Sequence, residues 1–282
     1  MPLALKAGIP PVAHRVASTV AVQVGRTRFE NHCVTLVQQT LMRKSADAYL
    51  IAVEVLDFQQ QATDLFSRVT ADLNQLSQRL LLLTDVHGGI VRVVNAPELT
   101  QQWTKARPIL ARKYADQPAV QAFFTAFEQQ LSQPGTFELS LRNKGIYGAL
   151  FPGFYGRALD NDARNGYQRQ LRNFFNHLDL PLQLTTVTGA RVLGASAEEL
   201  PLTTVGRLDE ARFDALTFQR LMQSIVDDVS FAVALEMEHS ETFGVDVASG
   251  WMAHGQQTLT VEVAGAYFHE SKHEILPLTD AL

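Results

Sequence analysis

The chain has 282 residues, of which 46% are hydrophobic and 19% are charged, and it carries a formal net charge of −5. This composition is typical of an ordinary soluble globular protein and supplies enough apolar residues for a full core, in one large domain or two small ones. Because the net charge is acidic and Lys and Arg form no stripe, the sequence argues against nucleic-acid binding.

The first part of the chain has the pattern of successive antiparallel strands. Alternating apolar residues predict a strand over 16–24, and β-rich runs predict strands over 33–42 and 49–56, with a polar turn between the last two. From Phe58 to Leu80 the apolar residues recur every three or four positions. This period predicts a long amphipathic helix with one buried face.

Two further strands are predicted over 81–86 and 90–94, on either side of His87-Gly88-Gly89. Glycine supplies the positive φ angles of a tight turn, so these strands should form a hairpin. The Gly-Gly pair lies between two strands rather than at the start of a helix, which argues against a phosphate-binding loop.

A helix is predicted directly after this hairpin. Asn95 is a candidate N-cap, and Glu98 three residues later completes an Asn version of the capping box. Pro108 should kink or break the helix near Arg107, because proline lacks an N–H and clashes with the preceding turn. The apolar stripe of this helix consists of Leu99, Trp103, Ala106 and Leu110.

The middle of the chain is predicted to be helical between residues 116 and 150 and to end in an aromatic turn over 151–156. The segment 167–178 fits both a helix and a strand. The segments 180–187 and 202–205 have strand patterns.

The last part of the chain combines one more helix with further strands. Asp209 is a candidate cap for an amphipathic helix that carries Phe213, Leu216, Leu221 and Ile225 on one face. Alternation then predicts a half-buried strand over 229–237, followed by a β-meander up to residue 276.

These elements predict an α+β fold in which a curved, mainly antiparallel sheet of β-meanders carries amphipathic helices on one face. We expect a single domain over 1–282. Similar strand-turn-strand sequences recur at Leu83, Leu184 and Gly244, which allows two loosely similar halves, 16–114 and 180–276, joined by a helical insertion at 115–165. Hairpin turn chemistry alone can also produce such recurrence.

Several features predict a cytoplasmic location. The single cysteine, Cys33, cannot form an internal disulfide, and the N-terminal residues lack the apolar core of a secretory signal. No apolar run reaches the roughly 18 residues of a membrane span.

The sharpest motif is His269-Glu270-Ser271-Lys272-His273, which resembles the zinc-binding signature of the zincin metalloproteases. The resemblance implies that both histidines bind zinc and that Glu270 is the general base, on a helix that brings the histidines together. The flanking alternation over 258–263 instead predicts a strand, in which positions four apart lie roughly 13 Å apart. We therefore predict no metal, no cofactor and no catalytic residue, and keep a zinc-dependent hydrolase using 269–273 as the alternative.

Other candidate sites have ordinary structural interpretations. The segment 160–166 resembles a calcium loop only faintly, because Arg164 stands at a ligand position. Acidic residues concentrate at Asp227, Asp228, Glu236, Glu238 and Glu241. Within this group the alternate carboxylates Glu236 and Glu238 would share one strand face, which is interpreted as solvated, with a partner-binding face as the alternative. Four aromatic residues remain as partner-binding candidates: Trp103, Phe151, Phe154 and Tyr155.

The preferred function is a non-catalytic soluble binding or scaffold protein that uses a sheet-plus-helix surface to hold a protein partner or a hydrophobic ligand. A protein that docks a partner should expose a large apolar patch around 151–155 or on the Trp103 helix. A ligand carrier should instead have an apolar cavity between sheet and helices.

Overall fold

A computed structural model describes residues 3–61, 64–76, 78–133, 135–142, 145–157, 166–175, 177–193 and 198–278. The described strands all belong to one sheet. The first five are β1 (Val12–Val24), β2 (Thr27–Lys44), β3 (Ala48–Gln60), β4 (Arg79–Asp85) and β5 (Ile90–Val93). The other seven are β6 (Tyr167–Phe175), β7 (Leu178–Thr188), β8 (Val192–Leu193), β9 (Glu198–Leu208), β10 (Glu236–Asp246), β11 (Met252–Val263) and β12 (Tyr267–Pro277).

Six helices are present among the described residues. They are α1 (Leu65–Asn74), α2 (Ala96–Lys113), α3 (Pro118–Ser132), α4 (Thr136–Leu141), α5 (Gly145–Leu150) and α6 (Ala215–Val226). None of the helices in the described ranges combines the length and the apolar character needed to cross a membrane.

The sheet is antiparallel throughout, with the order β5-β4-β3-β2-β1-β12-β11-β10-β9-β7-β6 and with β8 paired to β9. Its centre is the pair β1 and β12, in which Val16 lies opposite Ile275. The sheet does not close, because β5 and β6 occupy its two edges. The predicted α+β fold with a curved antiparallel sheet and helices is confirmed.

The hydrophobic core lies on one face of the sheet, where the helices pack. The cluster on the β1–β5 side joins Ile51 and Leu82 of the sheet to Leu99 of α2. A second cluster joins Leu182 of β7 to Phe218 of α6. Between these regions α5 contacts β1, β11 and β12, so this short helix crosses the middle of the sheet. The division into similar halves, 16–114 and 180–276, stays a prediction.

The long helix predicted over 58–80 is wrong in its extent. Helix α1 covers only Leu65–Asn74, and Phe58 belongs to β3, where it pairs with Thr35 of β2. The 18-residue strand β2 pairs with β3 as far as Gln60. Strand β3 therefore continues past Phe58, where the helical spacing of apolar residues begins. Tertiary pairing here overrides local periodicity.

The strand predicted over 229–237 is also wrong, because β10 begins only at Glu236. The side chain of Gln223 in α6 donates to the backbone oxygens of Val229 and Phe231, at 2.7 and 3.3 Å. The Asp228 carboxylate accepts from the backbone N–H of Ser230 at 2.8 Å. These bonds hold the segment against the end of α6 instead of in a sheet.

Two predicted helix caps differ from the structure. Asn95 stands at the N-cap position of α2, but its side chain makes no capping bond; it accepts from the N–H of Leu81 at 2.8 Å and donates to the oxygen of Arg79 at 2.9 Å. It therefore attaches the helix start to β4. Helix α6 is capped by Asp214, which accepts from the N–H of Thr217, and not by Asp209.

Of the kink or break predicted near Arg107, the break does not occur, since α2 runs from Ala96 to Lys113 with Pro108 inside it. The kink stays a prediction. Trp103 and Leu110, on either side of the proline, are buried against α3. This packing compensates for the missing N–H of proline. The ambiguous segment 167–178 proves to be strand in β6 and in the start of β7.

The hairpin of β4 and β5 is confirmed. Gly88 has a φ of 86°, and a Cβ on it would lie 2.7 Å from the ring of Tyr155. Both the turn and the aromatic segment that packs on it therefore require glycine.

Candidate functional site

An apolar cavity of about 400 Å³ lies between the β2–β3 region of the sheet and the helices α1 to α5. The sheet contributes its floor, and four helices and the start of α5 form its walls. Its lining includes Cys33, Thr35, Val55, Phe58, Leu73, Leu80, Leu99, Trp103, Phe123, Phe127, Leu131, Phe137, Leu141, Ile146 and Tyr147. This is the arrangement of sheet and helices that a ligand carrier requires, and its volume lies within the range of about 300 to 1,000 Å³ typical of small-molecule sites.

Aromatic side chains form one wall of the cavity. Trp103 of α2 is 2% exposed and meets Phe127 of α3 edge to face, with the ring centroids 5.1 Å apart. Phe127 meets Phe137 of α4 in the same way, at 6.4 Å. Such contacts fix the ring orientations, so this wall is preformed.

A few polar groups are distributed over the apolar lining. Asn31, Cys33 and Thr35 alternate along β2 and reach the cavity from the sheet. Burial raises the pKa of the Cys33 thiol, against an opposing hydrogen bond with Ser18, so the thiol stays protonated. The indole N–H of Trp103 is buried and has no hydrogen-bond partner within the described part of the chain.

Two lining residues of the cavity are exposed to solvent. They are Phe123, which is 39% exposed, and Gly145 at the start of α5. Gly145 also lines a second cavity of about 290 Å³, which is bounded by β6 and by β1, β10, β11 and β12. The two cavities therefore share a lining residue at the beginning of α5.

A row of polar residues crosses the sheet beneath these cavities, each residue opposite the next in the strand register. Ser18 and His273 are joined by a hydrogen bond of 2.8 Å, and Thr186 and Thr204 by one of 2.7 Å. In spatial order the row contains Cys33, Ser18, His273, Gln257, Glu241, Thr204 and Thr186. The inner face of the sheet thus has a polar belt between two apolar regions.

A buried ion pair connects this belt to β6, because Glu241 of β10 pairs with Arg169 of β6. The side chains are 6% and 0% exposed, and Gln257 also donates to Glu241. Burial alone would raise the pKa of Glu241, but Arg169 and His239 outweigh it and lower the pKa to about 2. The Arg169 guanidinium also donates to the backbone oxygen of Pro152 at 2.6 Å. This pair therefore joins β6 to β10 across the curved sheet.

The histidines of the zincin-like motif lie on β12, in the strand conformation that the flanking residues predict. His269 and His273 both line the second cavity, and burial lowers the pKa of each to about 4. Glu270 is adjacent to His269 and therefore points to the opposite side of the sheet, where it pairs with Lys272 at 2.8 Å. Within the described ranges, no group of three or more His, Cys, Asp and Glu side chains is placed to hold a metal ion.

The aromatic partner-binding candidates are buried rather than displayed on the surface. Phe151, Phe154 and Tyr155 are 5%, 1% and 5% exposed. Phe154 packs on Phe243 of β10 with ring centroids 5.6 Å apart, and Tyr155 packs on Tyr49 of β3 at 6.0 Å. These three residues anchor the 151–155 segment to the core, whereas Trp103 lines the cavity.

The acidic residues of β10 divide into two sets. Glu236 and Glu238 are exposed, as predicted for a solvated strand face, whereas Glu241 of the same strand is fully buried. The sequence positions alone separate Glu241 from Glu238, because residues three apart on a strand face opposite sides. His239, Glu241 and Phe243 occupy alternate positions of β10 and face inward together. Residues 160–165 of the calcium-like segment lie outside the described residues.

No protein-family model matches the chain, and no curated protein matches it. Among solved structures, the chain is similar to lipovitellin, from a study of lipid–protein interactions in that protein. The similarity has a TM-score of 0.47 at 8% sequence identity and covers 95% of this chain and 24% of the lipovitellin chain. This chain thus spans less than a third of the length of lipovitellin.

Proposed function

We propose that this protein binds an apolar small molecule, without catalysis, in the cavity between the β2–β3 region and helices α1 to α5. The observation that supports this function is the cavity itself, with a volume of about 400 Å³ and a lining dominated by aliphatic and aromatic side chains. Transfer of an apolar ligand from water into such a lining is favourable in proportion to the area that leaves the solvent, at roughly 25 cal/mol per Å².

The polar groups of the lining define the ligand further. Asn31 and Thr35 place an amide and a hydroxyl group among the apolar side chains of the lining. Polar groups of this kind fix the orientation of a ligand in a mainly apolar site. The proposed ligand is therefore mainly apolar and carries at least one hydrogen-bonding group.

The proposal is tested by titrating the protein with N-phenyl-1-naphthylamine, an uncharged apolar probe whose fluorescence increases in apolar sites that exclude water. Cys33 is half-buried on the cavity floor, so Cys33→Phe fills the cavity, whereas Cys33→Ala is the matched control that fills nothing. We expect saturable binding to the wild type and to Cys33→Ala, and a loss of about tenfold or more for Cys33→Phe. Equal binding by all three folded proteins would show that the probe binds outside this cavity and would contradict the proposal.

The zinc-dependent hydrolase remains a separate hypothesis, and metal analysis of the purified protein tests it. The opposite orientation of Glu270 relative to His269 and His273 gives no support to the zincin arrangement. One bound zinc ion per chain that is lost in the His269→Ala variant would support the hydrolase hypothesis. Docking of a protein partner and a cytoplasmic location stay predictions.

A further inference from the structure

A cleft rich in arginine lies on the other side of α4 from the apolar cavity. Its volume is about 230 Å³, and it is bounded by the β4–β5 turn, the end of α4, the aromatic segment 151–153 and β6. Whereas Phe137 and Leu141 of α4 line the apolar cavity, Leu139 of the same helix lines the cleft. Four guanidinium groups line it, from Arg142, Arg157, Arg169 and Arg172.

Two of these arginines are held in place through their Nε atoms. Arg142 donates from Nε to the backbone oxygen of Ile90 at 2.8 Å, and Arg157 donates from Nε to the oxygen of Gly153 at 2.6 Å. The Arg157 guanidinium also lies 3.9 Å from the centre of the Tyr167 ring. An arginine anchored through Nε keeps four N–H donors on its terminal nitrogens, in the planar fork that matches an oxyanion.

The other charges around the cleft are paired. Arg169 is neutralised by Glu241, and Arg172 binds Asp179 at 2.8 Å. Among the described residues that line the cleft, the one carboxylate belongs to Asp85, which accepts from the N–H groups of His87 and Gly89, each at 2.9 Å, and so caps the β4–β5 turn. Within the described lining, positive charge from Arg142 and Arg157 therefore dominates the space that remains.

We propose that this cleft is a binding site for a small oxyanion, the phosphate or carboxylate group of a ligand, held between the guanidinium groups of Arg142 and Arg157. Two guanidinium groups of fixed orientation around a small concave volume can bind one tetrahedral or planar anion, whereas an extended polyanion would not fit in this volume. Burial lowers the pKa of Arg157, and a bound anion would offset the cost of keeping that buried charge. This site does not depend on the proposed apolar ligand.

The test measures binding of inorganic phosphate and, in a parallel arm, acetate to the full chain by isothermal titration calorimetry. The variant is Arg142→Gln with Arg157→Gln, and the matched control is Arg43→Gln with Arg207→Gln, two exposed arginines on other strands. Circular dichroism and thermal unfolding check that both variants keep the fold.

We expect saturable binding of at least one anion by the wild type and the control, and affinity reduced by about tenfold or more in the cleft variant. Tighter binding of phosphate would identify a phosphate site, and tighter binding of acetate a carboxylate site. The inference is overturned if neither anion saturates the wild type, or if the cleft variant binds as the control does. Loss of N-phenyl-1-naphthylamine binding is a separate result that concerns only the apolar cavity.

Discussion

Acidification should destabilise this protein well before its carboxylates titrate, because of the two histidines on β12. The folded protein keeps His269 and His273 uncharged down to a pKa of about 4, whereas the same side chains in the unfolded chain take up protons near 6.5. Between these values the unfolded chain binds more protons, so unfolding becomes easier as the pH falls. The loss begins below about pH 6.5 and is complete near pH 4.

The magnitude follows from the two pKa values. The pKa of each histidine is about 6.5 in the unfolded chain and about 4 in the folded protein. This difference lowers the free energy of unfolding by about 2 kcal/mol per histidine between pH 7 and pH 5. The pair therefore loses about 4 kcal/mol, a large fraction of the 5 to 15 kcal/mol typical of a globular protein. Burial also lowers the pKa of His14, which acts in the same direction. Glu241, with its pKa near 2, begins to contribute only below about pH 4.5.

Urea unfolding at pH 7, 6 and 5, followed by circular dichroism, measures this loss. We expect His273→Gln and His269→Gln each to reduce the pH dependence by about 2 kcal/mol, since glutamine does not titrate in this range. His177→Gln, which replaces a histidine at an exposed position, is the matched control variant. Equal slopes for the wild type and both β12 variants would refute the reasoning, because the histidines would then be free to charge in the folded protein.

Two further substitutions test how the sheet is held together. Glu241→Gln leaves Arg169 as an uncompensated buried charge and should lower the free energy of unfolding by about 3 to 5 kcal/mol in urea titrations, whereas the exposed Glu238→Gln should change it little. Gly88→Ala places a Cβ 2.7 Å from the Tyr155 ring at a φ of 86°, so thermal unfolding should show a loss of about 1 to 3 kcal/mol, and an unchanged midpoint would contradict this account of the turn.

The elements that the sequence predicts well are those in which local pattern and tertiary pairing agree. The hairpin around Gly88 is one example, because the apolar strands and the turn residues specify the same structure. The helix predicted from Phe58 is the opposite case, since Phe58 belongs to β3 and pairs with Thr35 of the long strand β2. Pairing across strands is not visible in a local period.

The candidate sites depend on contacts between distant parts of the chain, and local patterns do not report these. Arg169 and Glu241 lie 72 positions apart in the sequence, yet they form one buried pair. The cavity combines Cys33 of β2 with Trp103 of α2 and with Phe137 of α4. The sequence identifies Trp103 as a candidate but not the residues around it, because these come from separate helices and strands that only tertiary packing brings together.

The central claim is that an apolar ligand occupies the cavity beside Trp103, and the two tryptophans of the chain allow a direct test. Trp251→Phe leaves Trp103 as the single emitter, whereas Trp103→Phe leaves Trp251, which lies in the main core and does not line the cavity. On titration with N-phenyl-1-naphthylamine, we predict strong quenching of tryptophan emission in Trp251→Phe and much weaker quenching in Trp103→Phe. Equal quenching in both variants, or none in Trp251→Phe, would contradict a ligand site between the sheet and the helices.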